Sequence, residues 1–222
     1  VDTYILHLET ATKVCSVALS KNGELVGLKE IEEDGYSHGE NLNCFIEDLI
    51  KSVGISLKEL AAISIASGPG SYTGLRIGAA TAKGLCYALE IPLIAIDALQ
   101  ALTEIARINH PNKVLCPVID ARRMEVYNSF FDENNQLIKE ISADIIDESS
   151  YSEFEPFVYF GDGAEKLQEI WADKNCTADF TIKSSARGQV RLAFEKYQNQ
   201  QFEDVAYWEP FYLKDFIAGV KK

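Results

Sequence analysis

Ser67-Gly68-Pro69-Gly70-Ser71-Tyr72-Thr73-Gly74-Leu75-Arg76-Ile77-Gly78 leaves a short apolar strand, Ala61 to Ala66, and opens a helix that the pattern predicts over Thr73 to Leu89. Strand, glycine-rich turn, helix and a further strand at Pro92 to Ile96 make an α/β unit. Glycines let the chain turn sharply and leave backbone N–H groups bare, and the positive end of the helix adds to them, so an anion could be held at Ser67, Gly68, Gly70, Ser71 and Thr73. The same residues have a packing use. Gly74, Gly78 and Ala82 recur every four residues, a smooth stripe for close helix approach. The turn alone leaves both uses open. A P-loop is excluded, because five residues separate Gly68 from Gly74 and Leu75 follows where a lysine is needed. A nucleophile elbow is excluded too, because Pro69 and Thr73 flank Ser71 where glycines belong.

Working outward, Tyr4 to Glu9 and Cys15 to Ser20 read as strands, and Asn22-Gly23 supplies a tight turn into a third at Leu25 to Ile31. Leu42, Phe45, Ile46, Leu49, Ile50 and Val53 then recur at three- and four-residue steps, an amphipathic helix that Gly54 ends and whose apolar face the pattern by itself predicts to bury against its own sheet. A similar order begins again at Val114 to Asp120, with strands at Met124 to Asp132, Gln136 to Ile141 and Val158 to Phe160. Helices are expected at Ala164 to Trp171 and Gly188 to Tyr197, and 142–156 reads as loop and short helix. Two rounds of one pattern predict a two-lobed α/β protein, divided near 100–113.

Composition narrows the function classes. The chain is 222 residues long with a formal charge of −13, split −6 and −7 between residues 1–100 and 101–222, so no basic arm is present to attract a polyphosphate. Nucleic acid would be reached through a more basic partner. Five dispersed cysteines, at 15, 44, 86, 116 and 176, without a C-x-x-C pair, fit reduced thiols in a cytoplasmic protein. No apolar run approaches the ~18 residues of a membrane span, and Val1 to Leu8 lack a basic leader segment, so neither export nor anchoring is expected.

With Tyr4-Ile5-Leu6-His7-Leu8-Glu9-Thr10, Cys15-Ser16-Val17-Ala18-Leu19, Ser37-His38-Gly39-Glu40-Asn41-Leu42, Ile119-Asp120-Ala121-Arg122 and Tyr212-Leu213-Lys214-Asp215, the glycine-rich run resembles the TsaB (YeaZ) family of tRNA threonylcarbamoyladenosine biosynthesis. The resemblance implies an actin-like (ASKHA, ribonuclease-H-like) fold of two lobes with mixed sheets and flanking helices, residues 1–103 and 104–222. It implies a non-catalytic partner of TsaD that docks through its first two helices, with Leu42, Phe45, Ile46, Leu49, Ile50 and Arg76 at the interface, and that forms a homodimer when alone. It also implies the ATPase TsaE as a third component, tRNA only indirectly, and no tightly bound cofactor, ATP or ADP with magnesium entering in the complex. In the sister family TsaD a His-x-x-x-His metal pair follows the equivalent strand; that register falls here on Ala98 and Leu102, which cannot ligate a metal. His7, His38 and His110 have no histidine neighbour at helical spacing, and His38 is expected as a structural or capping residue before the first long helix. Glu9 and Asp120 each end the first strand of a lobe. They could position magnesium and phosphate for an independent ATPase or phosphotransferase, or simply hold a neighbouring turn. A metalloprotease is the third reading, and it lacks a ligand pair.

Overall fold

The structure is a computed structural model that describes residues 2–32 and 38–214. Ser37 and Asp215, the ends of two motifs quoted above, lie outside the described residues. Strands β1 (Tyr4–Glu9), β2 (Val14–Lys21), β3 (Glu24–Glu32), β4 (Leu60–Ala66) and β5 (Leu93–Ile96) form one sheet in the order β3-β2-β1-β4-β5. The second sheet, β10-β9-β6-β7-β8, is made by β6 (Val114–Asp120), β7 (Glu125–Phe131), β8 (Leu137–Ile145), β9 (Phe157–Phe160) and β10 (Cys176–Asp179). In each, three strands meander antiparallel and two more run parallel to the first. One topology is therefore used twice, as the repeated strand order predicts, and it fits the actin-like α/β fold that the resemblance implies.

Helix α1 (His38–Val53) lies on β2 and β3, and α2 (Tyr72–Leu89) on β4. Both cover one face of the first sheet, where Leu6, Leu8, Val17, Leu19, Ile63 and Ile65 make its core. Helix α4 (Val190–Gln198) covers the other face over Ile5, Ala62 and Ile94, so β1 is buried on both sides and reads as a near-continuous apolar run. Helix α3 (Ala98–Asn109) starts where Asp97 accepts a hydrogen bond from Gln100 N–H at 2.8 Å. It packs against β6 of the second lobe.

Two sequence expectations are corrected, and one strand is present that the pattern did not announce. Ala164 to Trp171 is not an α-helix: a 3₁₀ turn at Glu165–Leu167 gives way to further turns. The cause is tertiary, because Trp171 is drawn edge-on against Tyr159 and Phe157 and donates its indole N–H to Asp147 O at 3.2 Å. Strand β8 runs on to Ile145, beyond the expected end at Ile141, because β7 offers partners along its length. Strand β10 carries no alternating pattern and exists because β9 pairs with it. The chain after residue 183 also leaves the second lobe. Ser64 Oγ donates to Gln189 at 2.6 Å and Gln189 Nε2 donates to Leu8 O at 2.8 Å, seating the return segment on the first sheet.

Candidate functional site

The glycine-rich turn is filled by its own protein. Ser71 N–H donates to Ala11 O at 2.7 Å, and a Cβ built on Gly70 or Gly74 would lie only 2.3 Å from Ala11 O or 2.1 Å from Thr10 O. Those glycines let the turn press against the backbone that joins β1 to β2. Ser71 caps α2 by accepting from Gly74 N–H at 3.2 Å, Ser67 Oγ donates to Ile96 O at 3.1 Å, and Phe211 N–H donates to Ser67 O at 2.7 Å. Of the five residues expected to meet an anion, Thr73 alone is exposed. Both serine hydroxyls are thus bonded within the protein, and the Cα sides of Gly68 and Gly70 lie against backbone.

The two strand-end carboxylates occupy equivalent places in the two sheets. Glu9 is 1% exposed and accepts from Ala11 N–H at 2.7 Å; Asp120 is exposed and accepts from Arg122 N–H at 3.0 Å. Each thus braces the turn two residues ahead. Burial pushes the Glu9 carboxyl up to about 7. Asp120 also pairs with Lys166, and its N–H donates to Asp162 at 3.0 Å. Asp162 is exposed, and desolvation by the surrounding protein raises its carboxyl to about 6.

The histidines are dispersed. His7 lies in the first sheet, with Nε2 2.8 Å from Ser20 Oγ and burial holding its imidazole down to about 3. His38 begins α1 and donates to Thr12 O at 2.9 Å, while His110 pairs with Asp179 at 2.8 Å. Ala98 and Leu102 are buried in the core between α3 and the second sheet.

Four of the residues named for the interface face inward in this chain, as the pattern of α1 predicts. Leu42, Ile46, Leu49 and Ile50 are 1–6% exposed and belong to the first lobe's own core, because α1 needs that whole stripe to cover β2 and β3. Phe45 is half-buried beside them, and Arg76 is exposed with its guanidinium over the Tyr72 ring at 5.3 Å. What pattern reading missed is the outer face of α2. Thr73, Ile77, Ala80, Gly84 and Tyr87 follow one another along it; Tyr87 is 83% exposed, and nothing stands within 4 Å of a Cβ built on Gly84. A shallow groove of about 400 Å³ runs over Tyr72, Thr73, Arg76, Ile77 and Ala80. The signal was present, since small residues occur on both sides of α2 and only one side was assigned to packing.

Comparisons with known proteins follow the same line. A family profile described as "TsaD: tRNA N6-adenosine threonylcarbamoyltransferase" matches residues 32–207. The chain is 28% identical to the tRNA threonylcarbamoyladenosine biosynthesis protein TsaB of Haemophilus influenzae, covering 98% of this chain and 96% of that one. It is 29% identical to TsaB of Escherichia coli, over 98% and 97%. Among solved structures, YeaZ from Pseudomonas aeruginosa superposes with a TM-score of 0.82 at 24% identity, over 95% of this chain and all of that one, and shares the fold. The profile carries the TsaD name, but the relatives aligned end to end are TsaB proteins. This chain belongs to the TsaB (YeaZ) family.

Proposed function

We propose that the chain serves tRNA threonylcarbamoyladenosine formation as a non-catalytic subunit that docks on TsaD through the outer faces of α1 and α2. One observation carries the reading: α2 turns Ala80, Gly84 and Tyr87 to solvent beside the 203–214 segment that runs along it, with Ile77 half-buried at their edge. The bracing of a turn by Glu9 and by Asp120 weighs against reading them as a catalytic pair. In this reading threonylcarbamoyl transfer belongs to TsaD, TsaE joins the assembly, and the acidic chain meets tRNA only through its partners. The same face closes a homodimer when TsaD is absent. The setting is cytoplasmic; among the described residues no helix is long and apolar enough to cross a membrane.

The test is Gly84→Trp, which adds bulk where nothing in the chain stands in the way. The variant should keep its melting temperature and lose co-purification with TsaD. Undiminished capture of TsaD by a folded Gly84→Trp chain would reject this face, and full tRNA modification by TsaD and TsaE without the chain would reject the role.

A further inference from the structure

The loop Arg122-Arg123-Met124, between β6 and β7, is unusual for its backbone. Arg122 and Arg123 are consecutive residues at φ 71° and 53°, a left-handed region that disfavours side chains with a Cβ. The chain's other consecutive left-handed pair among the described residues is Asn22-Gly23, the residue types that tolerate it. Here two long cations hold the strained positions. The strain is enforced from beneath: Lys166 Nζ donates to Arg123 O at 3.0 Å and Glu125 O at 2.6 Å and pairs with Asp120, which accepts from Arg122 N–H. Both arginines are exposed, and neither has an ion-pair partner among the described residues.

Their surroundings point to a protein. Met124 is 40% exposed, its carbonyl accepts from Ile146 N–H at 3.2 Å, and Ile145 beside it is 78% exposed. Arginine and methionine around an exposed apolar spot are the composition of a protein interface, while a charge of −13 opposes a polyphosphate. The patch also connects to α2. Tyr212 packs on Tyr72 at the start of α2 with ring centroids 5.0 Å apart, Leu213 packs on the apolar cluster that joins Leu75 of α2 to the second sheet, and Lys214 pairs with Glu125, the strand partner of Ile145. Three residues of chain thus bridge the docking helix and the arginine loop.

We propose that Arg122 and Arg123 are a second contact point, pre-set by Lys166 and Asp120, for a carboxylate-bearing segment of the same protein that docks on α2; this rests on the docking role proposed above. The experiment is titration of purified TsaD with the unaltered chain, Arg122→Glu/Arg123→Glu, Arg122→Asn/Arg123→Gly and Gly84→Trp, at low and high salt. Charge reversal should weaken TsaD binding at least tenfold at low salt and flatten its salt dependence. Arg122→Asn/Arg123→Gly should bind more weakly while melting about 2–4 °C higher, because the strain is relieved. TsaD affinity equal to that of the unaltered chain for both arginine variants overturns the proposal. So does an effect confined to added tRNA, which would make the loop a nucleic-acid contact. If Gly84→Trp loses TsaD and the arginine variants do not, the docking role stands without this contact. If the unaltered chain fails to bind TsaD, both readings fall.

Discussion

Glu9 and Asp120 differ in burial rather than in chemistry. Both end a first strand and both brace the next turn, but Glu9 does so at 1% exposure, where the charged form is disfavoured and the carboxyl titrates at about 7. A group raised from 4.5 to about 7 contributes stability that is complete below pH 4.5 and lost as the pH climbs through 7. The size of that loss is roughly 3 kcal/mol. Glu9→Gln should remove the slope, so the two proteins diverge between pH 4.5 and 7.5 in favour of the variant. Urea unfolding at three pH values reads it, and parallel stability curves would contradict the assignment. Sequence pattern placed both acids at strand ends; it carried no information on which would be enclosed, because α4 and Gln189 arrive from about 180 residues away.

At the scale of elements, α2 is a helix with two smooth faces that do different things. Gly74 and Gly78 meet Thr10, where a Cβ would come within 2.1 and 2.3 Å of an oxygen, whereas Gly84 faces open space. Gly84→Ala should therefore stabilise the isolated chain by up to about 1 kcal/mol, and Gly74→Ala should destabilise it by about 2 kcal/mol or more. Thermal melts of the two variants check the contrast, and shifts of one sign would refute it. The inward stripe was legible as a four-residue repeat. The outward one was not, because exposure depends on what else the fold lays alongside. The same limit explains Ala164 to Trp171, whose helical spacing yielded to the aromatic cluster that holds Trp171.

For the whole molecule, the decisive feature is the return of the chain after residue 183 to the lobe in which it began. Gln189 is fully buried, and its amide satisfies Ser64, from β4, and Leu8 O, from β1, at once. Replacing it with alanine would orphan both and leave a void, so Gln189→Ala should cost about 2–4 kcal/mol and lower the melting temperature by several degrees. Calorimetry measures this; an unchanged melting temperature would mean the return segment is not anchored there. Further on, Lys83 Nζ donates to Ala206 O and Trp208 O and Phe211 N–H donates to Ser67 O, so residues 203–214 run along α2 to the glycine turn before reaching the second lobe.

The amino-acid order by itself determined the two rounds of strands, the helices α1 and α2, the sharp turn at Ser67 to Ser71 and the family, because periodicity, glycine placement and motif spacing are local properties of the chain. The α1 pattern already pointed to a core role for its stripe, whereas tertiary structure alone decided that the glycine turn is occupied by Thr10 and Ala11 and that α2 presents its other side to solvent. Those outcomes depend on which distant segment buries which face, and burial is a property of the folded ensemble of elements rather than of any one of them.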